Sequence, residues 1–359
     1  MKLNRAVRLG VVGLLRGHCA ASLIGDPDVQ IRAICDKNAA LLAEKRQYYT
    51  EHGTADLLCF DVYEDMLASD IDAVYVATDK PLHTRHVLMA LEAGKHVISE
   101  IPVIETREEA KILRDAVKAH PELKYMTAEN CCYWAFIETW KKMHEDGEFG
   151  DIVYAEAEYL HSIAPDKIQP YTTEHWRKYN PAITYLTHSL GPLLYIMGDR
   201  CVSVSCMVPE SMYNPYKKGE QNGVAIFRTE KGAVIRIFIG FGAYVGFDHN
   251  FALYGTKGMI LTDKTRPLKE AHSFARLSSE PASFEGAMIE IPVTMSGEGS
   301  SGGHGGADGK MLRDFIRCII EDTDPPLSVD DGIRMSLPGI IAHESSLRGG
   351  ETLEIPDIV

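Results

Sequence analysis

Through its first 128 residues the chain alternates short apolar runs with helix-like stretches, and this rhythm restricts the fold more than any other feature. Runs at 7–12, 31–35, 73–77, 96–98 and 125–128 have the length of buried strands, while 39–52, 82–93 and 107–119 read as helices. Strands joined through helices run parallel, so residues 1–128 predict a doubly wound parallel sheet with helices on both faces.

Beyond residue 128 the rhythm changes. A helix at 134–144 ends at Gly147, and strand-like runs follow at 152–161, 202–208, 223–229, 233–241 and 250–254. Glu230-Lys231-Gly232 and Gly255-Thr256-Lys257-Gly258 have the composition of hairpin turns. Helices are expected at 186–197 and 308–321, and the glycine-rich stretch 296–309 reads as a mobile loop. A chain of 359 residues exceeds one ordinary core. The expectation is an α/β protein: a first domain over 1–128, and an α+β domain over 129–359 with an open, mostly antiparallel sheet.

The formal net charge of −14 leaves no basic footprint for nucleic acid. The eight cysteines include Cys131-Cys132 and Cys201/Cys206, but no zinc-type or CxxC spacing, so reduced thiols and no metal are expected. No run approaches the roughly 20 apolar residues of a membrane span. The apolar opening at 9–15 lacks a small-residue cleavage site and reads as a strand, so a cytoplasmic protein is expected.

Gly10-Val11-Val12-Gly13-Leu14-Leu15-Arg16-Gly17 follows the first strand, where glycine lets the backbone approach a pyrophosphate. Leu15 stands where the middle glycine of GxGxxG would be. Asp36, at the end of the second strand, suits the ribose diol of NAD and repels the extra phosphate of NADP. Thr78, His83 and Glu100 lie at or beyond later strand ends, where open parallel sheets bind ligands; turn and capping roles stand beside the cofactor role.

Proton-carrying side chains recur downstream. Tyr159 and His161 share a face of one strand; they either converge on a substrate or are ordinary exposed residues. Tyr185 and His188 share a face at a helix start, where a satisfied core histidine is the plain alternative. Glu129 ends the last parallel strand, as a site carboxylate or a cap for the next helix. His304 stands in Gly302-Gly303-His304-Gly305-Gly306 as a substrate contact, and Asp308 reads as a helix N-cap. Arg177, Lys178, Lys217 and Lys218 either meet an anionic group or form a solvated surface.

The opening with Asp36, Thr78 and His83, Gly94-Lys95-His96-Val97 running into Glu100-Ile101-Pro102, and Gly147-x-x-Gly150 together resemble the Gfo/Idh/MocA oxidoreductases. The resemblance implies an N-terminal Rossmann domain, and a C-terminal sheet that forms the substrate floor and a homo-oligomer interface. Dehydrogenases of that family usually carry a lysine where this chain has Ile101. Glu129-Asn130-Cys131-Cys132-Tyr133, Tyr159-x-His161, Trp176 and Tyr185-x-Thr187-His188-x-Leu190-Gly191-Pro192 are similar to the NAD-dependent glycoside hydrolases, among them α-N-acetylgalactosaminidases. That similarity implies catalytic roles for Glu129, Tyr159, His161, Tyr185 and His188. Cofactor contact is expected at Gly13, Leu14, Leu15, Arg16, Asp36, Thr78, His83, Glu100 and Asn130, and substrate contact at Trp176, Arg177 and His304. The function it implies is a redox-neutral glycosidase that retains NAD. A simple NAD-dependent sugar or polyol dehydrogenase and a non-catalytic dinucleotide sensor are the alternatives.

Overall fold

The computed structural model describes residues 5–54, 56–161, 175–210, 217–242, 247–265, 272–277, 288–292 and 294–358. The chain divides into two compact units: 1–133 with 296–333, and 134–295 with 334–358. Residues 296–333 return to the first unit, a discontinuity that a linear division at 128/129 does not contain. The helix Ala307–Glu321 accounts for it, since its apolar face packs on the turns His18–Leu23 and Asn130–Tyr133.

The first unit holds six parallel strands: β1 (Val7–Val12), β2 (Val29–Cys35), β3 (Leu58–Phe60), β4 (Ala73–Val76), β5 (His96–Ser99) and β6 (Tyr125–Thr127). Their order is β3-β2-β1-β4-β5-β6, the doubly wound arrangement whose direction of winding switches between β1 and β4. Every residue of β4 is buried, as a strand covered on both faces requires. Local chemistry sets the helix starts. Asn38 Oδ1 accepts from the amides of Ala40 and Leu41 to begin Ala39–Glu51, and a reciprocal Thr106–Glu109 capping box begins Arg107–Ala119.

The second unit is built on a nine-stranded sheet. In chain order its strands are β7 (Ile152–His161), β8 (Cys201–Met207), β9 (Asn222–Thr229), β10 (Val234–Gly240), β11 (Phe247–Gly255), β12 (Gly258–Thr262), β13 (His272–Leu277), β14 (Met288–Pro292) and β15 (Leu353–Glu354). The spatial order is β14-β13-β12-β11-β7-β10-β9-β8-β15, and of these neighbours only β7 and β10 run parallel. Both expected hairpin turns are present, joining β9 to β10 and β11 to β12.

Alternation divides the two faces of this sheet. Ala155, Ala157 and Tyr159 of β7, Ile235, Ile237 and Ile239 of β10, and Phe251 and Leu253 of β11 are buried on one face. The helix Thr187–Met197 packs on β7, and on the helix Ala135–Glu145. The other face carries an ion-pair lattice: Arg236 meets Glu158 at 2.8 Å and Glu156 at 3.1 Å, and Lys264 meets Glu156 at 2.9 Å.

Candidate active site

In the first unit, the turns after β1 and β4 meet at the switch point. Gly13 has φ +85, and a Cβ there would lie 2.4 Å from the carbonyl oxygen of Ala77 and 2.6 Å from Cα of Thr78. Only glycine supplies both the left-handed backbone and the clearance. The helix that follows is a single turn, Leu14–Gly17, continued by a 3-10 stretch, His18–Leu23. Leu15 is 74% exposed, so the residue in place of the middle glycine points away from the core. The Asp36 carboxylate accepts from the amide of Leu14 at 2.8 Å and of Asn38 at 2.9 Å. A carboxylate has about four acceptor positions, which leaves capacity for a vicinal diol. This set of groups fits the ribose and pyrophosphate of NAD.

The remaining cofactor-side residues form the wall of that edge. Both ring nitrogens of buried His83 meet backbone carbonyls, of Pro102 at 2.8 Å and Thr78 at 2.9 Å, so this side chain braces the loops after β4 and β5. Thr78 Oγ1 lies 3.1 Å from His86 Nδ1. Glu100 takes the Arg16 Nε at 2.9 Å and the hydroxyl of Tyr75, and the peptide between Ile101 and Pro102 is cis. Burial pushes the nearby Cys19 thiol up to about 12, so it stays protonated and inert. Glu129 is fully buried; its Oε1 accepts from the amide of Cys131 at 3.2 Å, as a cap of the turn that follows would.

Asp308 departs from its expected role. The N-cap position of Ala307–Glu321 belongs to Gly306, with φ +90, and Asp308 is the second residue of the helix, its carboxylate aimed elsewhere. It accepts from Arg16 at 2.8 and 3.0 Å, from Asn130 Nδ2 at 3.0 Å and from His304 Nδ1 at 2.9 Å. Burial alone would raise this carboxyl; the hydrogen bonds from His304 and Arg16 overcome it and hold the group far below the usual carboxylate range. The stretch expected to be a mobile loop is likewise tied down. The amide of Ser301 donates to Gly306 O at 3.0 Å, that of Gly309 to Ser301 O at 2.9 Å, and Arg313 reaches Ser301 Oγ at 2.9 Å. Arg16, Glu100, Asn130 and His304 thus belong to one hydrogen-bonded cluster centred on two carboxylates.

The second unit gathers the other predicted residues into a cluster of rings. Tyr159 lies edge-on to His188 at 5.5 Å and to His161 at 5.6 Å, with Tyr185 at 6.4 Å. Tyr185 and His188 stand 5.4 Å apart, because the turn Ala182–Tyr185 leads directly into the helix Thr187–Met197. Trp176 is 6.2 Å from Tyr185, and the Arg177 guanidinium lies 4.6 Å from the Trp176 ring, a cation–π contact. Lys217 is not a solvated surface residue: it is 1% exposed, and its ammonium donates to the carbonyls of Asn180 at 2.5 Å and Arg177 at 3.2 Å. It ties down the loop that carries Trp176 and Arg177.

His249 was not anticipated from the sequence. It pairs directly with Tyr159 across β11 and β7, and their rings stack at 4.3 Å. The side chain is 2% exposed and also lies 6.2 Å from His188 and 5.0 Å from Trp134. A lone histidine in a strand carries little local signal. The run of Tyr159 and His161 on one strand would have pointed to it only if the β7–β11 pairing were known.

Comparison with known proteins gives family matches along most of the chain. Residues 7–128 match the oxidoreductase family with an NAD-binding Rossmann fold, residues 137–261 the Gfo/Idh/MocA C-terminal domain, and residues 210–359 the glycosyl hydrolase 109 C-terminal domain. A glycosyl hydrolase family 109 protein of Solibacter usitatus is 28% identical, over 99% of this chain and 89% of the relative. Among solved structures, an oxidoreductase domain protein from Kribbella flavida superposes with a TM-score of 0.82 at 19% identity, covering 98% of this chain and all of that one. Levoglucosan dehydrogenase, in complex with NADH and levoglucosan, gives 0.81 at 22% identity with the same coverage. At those identities the two structures speak for the fold. The chain therefore belongs to the Gfo/Idh/MocA oxidoreductases, as an NAD-dependent enzyme whose C-terminal half is shared with glycosyl hydrolase 109.

Proposed function

We propose that this protein hydrolyses a glycoside in a redox-neutral cycle, with NAD retained between turnovers. The observation that carries this reading is the ring cluster of Tyr159, His161, Tyr185, His188 and His249, in a chain whose buried Ile101 offers no proton carrier beside Glu100. NAD, when bound along Gly13–Arg16 and Asp36, supplies a hydride acceptor for carbon 3 of the sugar and returns the hydride at the end.

The chain's own residues move the protons. His188, 5.4 Å from Tyr185 in the same cluster, takes the proton of the carbon-3 hydroxyl. Tyr159, with His161 edge-on to it, takes the carbon-2 proton that a neighbouring ketone acidifies, and the aglycone leaves carbon 1. Water then adds at carbon 1, one of its protons balancing the one taken up by the departing aglycone oxygen. A solvent-exchanged proton is delivered from Tyr159 to carbon 2, and His188 returns its proton to the carbon-3 oxygen as the ketone is reduced. Trp176 and Arg177 hold the sugar, Glu129 orients it, and His304 is a further contact. The paired carboxylates of ordinary glycosidases are not needed for this route.

The purified protein should release phenol from an aryl glycoside over many turnovers without matching NADH. In deuterated water, the sugar should gain label at carbon 2. NADH accumulating in step with a free sugar, without phenol, would replace this reading by a simple dehydrogenase. The eight unbridged thiols support a cytoplasmic setting. Met207, Ile226 and Val234, exposed on the outer face of the nine-stranded sheet, support its use as a homo-oligomer interface.

A further inference from the structure

Within Gly302-Gly303-His304-Gly305-Gly306, only one position carries a side chain, and that side chain is anchored. His304 has φ +50, a left-handed conformation that glycine adopts without cost. The backbone would be better served by a fifth glycine, so the imidazole is there for what it does. Its Nδ1 lies 2.9 Å from Oδ2 of Asp308, whose side chain is 1% exposed. Gly303 is matched to this contact, because a Cβ there would come within 2.7 Å of the same carboxylate oxygen.

The tautomer follows from the partners. Arg16 and Asn130 donate to Asp308, and an ionised carboxylate only accepts. Nδ1 of His304 must therefore carry the hydrogen, which makes Nε2 the basic nitrogen of the neutral ring. We propose that Asp308 is a positioning residue: it fixes the tautomer and direction of the His304 ring, and Arg16 ties that setting to the turn after β1. Asp308 touches neither substrate nor cofactor in this scheme and acts through His304. The catalytic consequence rests on the proposed glycoside chemistry; the tautomer does not.

Two measurements on the full-length protein separate those layers. Nitrogen-15 NMR of the histidines, with His304 assigned by its loss in His304→Gly, should show the hydrogen of the His304 ring on Nδ1. In Asp308→Asn the signal should move toward the Nε2-protonated form. A wild-type His304 protonated at Nε2, or a tautomer unchanged in Asp308→Asn, would overturn the proposal whether or not the protein cleaves glycosides. His304→Gly relieves a left-handed backbone, so its folding is not at risk.

Turnover of the NAD-loaded enzyme supplies the second test. Asp308→Asn should raise KM by at least about tenfold with kcat little changed, and should add nothing in the His304→Gly background. An undiminished rise in that background would assign Asp308 a merely structural role and sink the proposal.

Discussion

Arg16 in the first unit stands between two carboxylates, Glu100 at 2.9 Å and Asp308 at 2.8 Å, whereas Tyr159 in the second unit stands among His161, His188 and His249. The first cluster is made of fixed charges. Against burial, the hydrogen bonds from His304 and Arg16 hold the Asp308 carboxyl far below the usual carboxylate range. Such a cluster sets geometry. The second consists of rings packed edge-on and face to face, whose ordinary titration ranges lie closer to neutral pH or above it. The difference teaches how each cluster is held: one by charge pairs, the other by ring packing.

Substitutions in the two clusters should accordingly fail in different ways. The largest effect is expected for His188→Ala, which should cut aryl-glycoside turnover by about 10²–10⁴-fold while leaving the melting temperature and NADH binding near wild type. Loss of fold instead of turnover would erase the distinction drawn here. Next comes Arg16→Met, which leaves Glu100 and Asp308 without their shared counter-charge. Unfolding should be easier by on the order of 3 kcal/mol, measured by denaturant titration. An unchanged midpoint would show that the charged cluster does not hold the first unit together.

The smallest effect sharpens the comparison with a histidine that is not in the ring cluster. Burial, with weaker repulsion from His83 and Arg85, lowers His86 from 6.5 to about 4. Its folded form thus binds a proton less readily than its unfolded form. The contribution to stability is fully present above pH 6.5 and is lost as pH falls toward about 4. Replacing His86 by Asn should flatten the stability profile in that window, and an unchanged slope would assign the acid sensitivity to other groups.

The parallel sheet was legible because its strands are apolar runs of a period and length that permit little else. Of its strands β3 escaped notice, being only three residues whose side chains are all half-buried. The helix Val329–Leu347 was hidden by Gly332, Pro338 and Gly339 within it, and β12 to β14 by their shortness and weak alternation. At the candidate site, spacing alone paired Tyr159 with His161 and Tyr185 with His188. His249 was lost by one residue: the strand read from the sequence began at Asn250, while pairing with β7 extends it back to Phe247. Asp308 was read as a cap because an acid at a helix start usually is one, and nothing local reveals that Arg16 lies across from it.

What the sequence by itself determined is therefore everything that depends on neighbours along the chain. That includes the alternation, the caps and turns, the glycine at the switch point, the acid at the end of β2 and the same-face pairs. The tertiary structure alone decided which carboxylate holds which cation and which histidine stacks on Tyr159. Arg16 and Asp308 are separated by 292 positions and the two rings by 90. Strand register and helix docking bring them to contact distance, and those follow from burial of the whole surface, a property no local window of sequence contains.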